Sequence, residues 1–123
     1  MNAFPSTAAF ALAHAAHAGT GHTEYRNRAE YAGRYIVGGI ATAIIPSDAA
    51  GFPELVLRSA LDLLESEDAL KAETVGVWSH DGNTYLDLGD TYYMLDSALT
   101  VAQARGELAI WDRVTGTEIG ISL

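Results

Sequence analysis

The stretch VGVWSHDGNTYLDL, residues 75–88, leaves a folding chain few choices. Val75 and Val77 alternate with Gly76 and Trp78, and beyond Asp81-Gly82-Asn83 the residues Leu86 and Leu88 alternate with Tyr85 and Asp87. A two-residue period is that of a half-buried strand. Asp-Gly supplies the residues that tolerate the positive φ of a tight turn. The stretch is therefore predicted to be a β-hairpin looped at Asp81-Gly82, with Val77 opposite Leu86 and Trp78 opposite Tyr85. One face is aliphatic; the other carries Trp78, Tyr85, His80 and Asp87. Sliding the loop to Gly82-Asn83 changes the partners and leaves the two faces as they are.

The pattern continues downstream. Tyr92-Tyr93-Met94 reads as extended, and Asp96 as the N-cap of a helix with Leu95, Leu99 and Ala102 on one stripe. Gly106 stands where a helix ends in a left-handed residue, with Arg105 beside the negative end of the dipole. Leu108 and Ile110, then Ile119 and Ile121, form a second alternating pair across Val114-Thr115-Gly116-Thr117.

Upstream, Ser6 or Thr7 can cap a helix that runs to Ala18 and stops before Gly19. Its alanines favour helix, but Phe10 and Leu12 give it little apolar stripe. A helix this short is marginal alone in water, so it is expected to pack on another subunit or fray, which predicts a homo-oligomer. Residues 19–33 read as a polar connector, partly helical around Tyr25 to Tyr31. Arg34 to Ile45 is a strand by its β-branched content, with Gly38-Gly39 marking a bulge or a close backbone approach, and Pro46 ends it. Pro53 and Glu54 open the main core helix. Its stripe is Leu57, Ala60, Leu61 and Leu64, widened by Val56 and Leu63. Residues 66–73 make an acidic turn or a short helix.

The expected fold is a small single α+β domain with a mainly antiparallel sheet, in the order strand, helix, hairpin, helix, hairpin, preceded by an alanine-rich N-terminal helix. Residues 1–32 form the N-terminal helix and connector, and 33–123 the α+β domain.

Charge narrows the partners. Seven Lys and Arg against 16 Asp and Glu give a net charge of −9, which argues against nucleic acid, whose phosphates need a basic surface. The imbalance is local: residues 1–45 hold two acids and three basic residues, and 46–123 hold fourteen acids and four basic residues. With no cysteine the chain has no disulfide and no thiolate metal site, as suits a reducing cytoplasm. The longest apolar run, residues 36–45, is too short to cross a bilayer. The N-terminus resembles a signal sequence but lacks basic residues before its apolar part, which two histidines interrupt. A cytoplasmic protein with no membrane partner is expected.

The residues offer no catalytic set. Ser79-His80-Asp81 has triad residue types, yet adjacent strand residues point to opposite faces and cannot align. His14, His17 and His22 lack a further ligand at a recognised spacing, so no metal is expected. Asp87, Asp90 and Asp96 fit no calcium loop and read as solvated turn acids. Gly19-Thr20-Gly21 lacks the context of a phosphate loop. No enzymatic activity and no cofactor are expected. Arg34, Arg58, Arg105 and Arg113, with Trp78, Tyr85, Tyr92, Tyr93 and Trp111, offer planar forks for phosphate and stacking surfaces for bases. The competing account is structural: Arg105 satisfies a helix end, Arg113 a hairpin loop, and the aromatics fill the sheet. The residues alone favour this second account.

The segments VGVWSHDGNTYLDL, LDSALTVAQARGE and LAIWDRVTGTEI, preceded by GRYIVGG, resemble those of small actinobacteriophage proteins, over residues 33–121. They are similar, more loosely, to the phage Thoeris anti-defence sponges, which sequester cyclic ADP-ribose signals, and in some members cyclic oligonucleotides, without cleaving them. The resemblance implies an oligomer in the host cytoplasm that holds a small anionic nucleotide signal. Arg58, Arg105 and Arg113 would then contact phosphate, and Tyr85 and Trp78 would stack. The alternative is a small acidic phage protein that binds a host protein and no small molecule.

Overall fold

The computed structural model describes residues 4–121, which form α1 (Ala8–Ala18), β1 (His22–Tyr25), β2 (Tyr35–Pro46), α2 (Phe52–Glu65), β3 (Thr74–His80), β4 (Asn83–Tyr92), α3 (Leu95–Arg105), β5 (Ala109–Asp112) and β6 (Thr117–Gly120). Asp81 and Gly82 both take positive φ, 48° and 81°, the pair that a two-residue hairpin needs. The register that follows joins Val77 to Leu86 and Trp78 to Tyr85, as the alternation predicts.

Six strands make one sheet in the order β1-β3-β4-β2-β5-β6, every neighbouring pair antiparallel. Between Val37 and Ala41 the long strand β2 takes four steps while β4 takes two, from Asp90 to Leu88. That bulge falls on Gly38-Gly39, where the double glycine is expected to mark one, and Gly39 has φ of 89°. Extra residues in one strand bend it and raise its twist. The sheet accordingly curls.

All three helices cover one face. Val75, Val77, Leu86 and Leu88 of β3 and β4 are buried with Leu12 of α1 and Val56, Ala60 and Leu64 of α2. Tyr35, Val37 and Ile110 pack with Ala98 and Ala102 of α3. Val37 pairs with Asp90, two residues from Leu88, so both clusters lie on the same side. Burying these aliphatic side chains contributes about 1.5–3 kcal/mol each. Among the described residues no α-helix packs on the opposite face.

Four expectations are corrected. The N-terminal helix needs no second subunit, because Ala8, Ala9, Leu12, Ala15 and Ala16 are buried in its own chain; its alanines are the contact surface, and small side chains bring the backbones close. The polar connector contains strand β1, paired with β3 from His22–Val77 to Tyr25–Thr74, and its helical part is one 3-10 turn, Ala29–Tyr31. In α3 the cap position is Met94 and Asp96 lies in the first turn. Ala98 and Ala102 are buried with Leu99 packed against them, while Leu95 is 37% exposed. In α2 the buried line is Val56, Ala60 and Leu64, with Leu61 largely outside it.

Candidate functional site: a cup on the helix-free face

On the face away from the helices the curled sheet forms an open cavity of about 720 Å³, within the range of small-molecule sites. Alternation decides what it contains. Gly76, Trp78 and Asp87 are the outward partners of buried Val75, Val77, Leu86 and Leu88, and they line the cavity together with Thr23 and Tyr25 from β1 and Trp111 from β5. Gly76 keeps the floor open: a Cβ there would meet nothing nearer than the His22 carbonyl oxygen and Thr23 Oγ1 at 3.6 Å.

Trp78 forms the best-fixed wall. Its ring stacks on Tyr85 with centroids 4.5 Å apart and planes 17° from parallel, a pairing worth about 0.5–1.5 kcal/mol beyond burial. Its indole Nε1–H donates to Asp87 Oδ2 at 2.8 Å, and Thr42 Oγ1 donates to Asp87 Oδ1. Asp87 is 8% exposed. The expected solvated turn acid is instead a buried carboxyl set by two donors.

A second carboxyl approaches it. Gly106 ends α3 with φ of 70° and turns the chain so that Glu107 lies against the bulge. A Cβ on Gly38 would stand 3.0 Å from both Asp87 Cγ and Glu107 Oε1, and one on Gly39 would be 2.8 Å from Glu107 Oε2. The missing side chains of the two glycines are the space the carboxyls occupy. Burial, and then the Asp87 charge, push the Glu107 carboxyl up to about 7, against the opposing pull of Arg105.

The arginines are engaged elsewhere. Arg105 donates to the Val37 and Gly38 carbonyls at 3.3 and 3.1 Å and forms a two-pronged pair with Asp90 at 3.0 and 3.1 Å. Arg113 donates to the carbonyls of Ala32, Gly33 and Ala29 at 3.0, 2.9 and 2.8 Å and lies 5.0 Å over the Tyr25 ring. Arg34 is paired with Asp112 through Nε and Nη2, both at 2.9 Å. Arg58 is exposed on α2, on the helical side. Of the five residues expected to hold ligand, Trp78 lines the cup and Tyr85 backs it. Arg58, Arg105 and Arg113 do not converge there.

Thr23, Tyr25 and Glu107 join Trp78 at this site without having been singled out from the sequence, whereas Asp87 shares the predicted outer face of the hairpin and Trp111 is one of the expected stacking surfaces. The Gly38-Gly39 pair, expected to mark a bulge or a close backbone approach, is a further signal. Among the described residues no three His, Asp or Glu side chains gather into a metal-holding set, and no helix is long and apolar enough to cross a membrane. In comparison with known proteins, no family model, no curated protein and no solved structure matches the chain.

Proposed function

We propose that the protein binds a small organic molecule carrying a planar ring in the cup of the curled sheet, and holds it without chemical change. The observation that carries this reading is the cavity of about 720 Å³ with an indole wall held from behind by Tyr85 and from the side by Asp87. A ring that needs no reordering before a ligand arrives loses little entropy on binding. Gly76 leaves room for a ligand over the floor, since a Cβ there would meet nothing nearer than 3.6 Å.

The resemblance to phage sponges supplies one ligand class for this reading, a cyclic nucleotide-derived signal whose base stacks on Trp78. Phosphate recognition by Arg58, Arg105 and Arg113 is not part of it, because Arg105 and Arg113 are already committed to carbonyls and a carboxylate. The test is to incubate the pure protein with cyclic ADP-ribose isomers, cyclic di- and trinucleotides and ring-bearing amines, remove free ligand, denature, and identify what is released. Intact ligand supports capture. A converted product rejects capture without turnover, and no uptake by any compound rejects the reading. Gly76→Phe, which fills the floor, is expected to abolish uptake while the circular dichroism spectrum stays unchanged.

A further inference from the structure

The ionisable side chains that line the cup are His22, Tyr25, Asp87, Glu107 and Glu118, with no lysine or arginine among them. Around these, His22 pairs with Glu24. Arg113 sits over Tyr25 but gives its N–H groups to carbonyls, and Arg105 faces Asp90. The cavity therefore combines aromatic walls with three carboxyl side chains and no lysine or arginine in its lining, a bias that favours a cationic ligand.

We infer that the cup selects a protonated amine: an aryl-alkyl ammonium or a comparable organic cation whose ring lies on Trp78 and whose N–H groups reach the Asp87 and Glu107 carboxyls on either side of Gly38. This rests on the reading of the cup as a small-molecule site, adds the ligand's charge to it, and ranks ring-bearing amines above the anionic cyclic nucleotides as ligands. Three observations agree. The indole faces of Trp78 and Trp111 attract cations through their quadrupole, and Trp111 is 41% exposed with nothing stacked on it among the described residues. Asp87 has two donors, one on each oxygen, which leaves lone pairs free for a ligand. No described residue donates a hydrogen bond to the Glu107 carboxyl, although it is only partly exposed. An ammonium between the two carboxyls supplies the donors and offsets their mutual repulsion. A phosphate in the same place would meet the Asp87 and Glu107 carboxyls instead.

Tryptamine, tryptophol and indole-3-acetate share one ring and carry a cationic, neutral or anionic tail. Calorimetric titration of each into the wild-type chain at about pH 8, above the Glu107 titration, separates the two layers of the argument. Tryptamine is expected to bind about tenfold more tightly than tryptophol, as a charge-assisted hydrogen bond allows, with indole-3-acetate the weakest. In Glu107→Gln the preference for tryptamine should shrink while tryptophol affinity holds, and Asp87→Asn provides a second, independent loss. Equal binding of all three probes, or a preference for the acetate, overturns the amine subsite and leaves the cup as a ligand site. Failure of every probe to bind overturns both.

Discussion

Arg105 and Asp90 meet through two parallel hydrogen bonds, 3.0 and 3.1 Å long, directly beside the carbonyls at the start of the β2 bulge. Two of those carbonyls, on Val37 and Gly38, accept from the same guanidinium. The side chain is 21% exposed. Arg105→Ala would strand both carbonyls and the Asp90 carboxylate together, so it is expected to cost about 2–4 kcal/mol. Urea unfolding should show the midpoint falling, and Arg105→Lys should recover only part of it, because an ammonium cannot reproduce the fork.

Acid should remove the contribution of the Arg34–Asp112 pair. The Arg34 guanidinium, followed by the amides of Val114 and Thr115, holds the Asp112 carboxyl well below the usual carboxylate range. A folded value below the unfolded one means stability that is present above about pH 4 and lost as pH falls toward the folded value. Asp112→Asn is expected to lower the melting temperature at neutral pH and to flatten its fall below about pH 4. An unchanged acid limb in the variant would show that another group governs it.

Glu107 should act with the opposite sign. Its folded value of about 7 lies above the ordinary 4.5, so between these the folded state binds more protons, and stability declines as pH rises. Above about 7 the full penalty is present. Replacing Glu107 with Gln should therefore raise the melting temperature more at about pH 8 than at about pH 5. Thermal scans of both proteins at the two values check it.

Gly89 and Gly76 lie on neighbouring strands and predict different outcomes. A Cβ on Gly89 would fall well inside contact distance of the Val37 carbonyl oxygen and 3.0 Å from Thr74 Oγ1, so Gly89→Ala is expected to destabilise by about 2–4 kcal/mol. Gly76→Ala meets only ordinary contacts at 3.6 Å and should be neutral or stabilising by up to about 1 kcal/mol. Parallel chemical denaturation of the two variants decides whether the cup floor has the room described.

Local rules carried most of the architecture. Alternation about Asp81-Gly82 set the hairpin register, and Gly19 and Gly106 ended their helices where expected, both in the left-handed region. Strand β1 escaped because HTEY has no apolar alternation; an edge strand is recruited by its neighbour's backbone rather than by its own pattern. Helix α1 misled for a related reason, since alanine looks like weak core until the packing distance is known. The site was harder. Trp78, Tyr85 and Asp87 could be placed on one face from parity alone, but Glu107 joins them from 20 residues downstream through a bulge that only tertiary structure positions. Arginines drew notice because their chemistry is versatile. In the fold Arg34, Arg105 and Arg113 tie loops and a strand defect together, which is an ordinary use of a five-donor fork.

The Gly38-Gly39 irregularity has a last consequence. One short segment gives the sheet its bend and also makes room for the carboxyl pair, so shape and chemistry are not separable traits here. Deleting the two glycines would restore an unbroken ladder and flatten the bowl toward a plate, with both acids displaced in the same stroke. Variation in what the protein holds should therefore come through the walls, at Tyr25, Trp78 or Trp111, while the bend itself stays fixed.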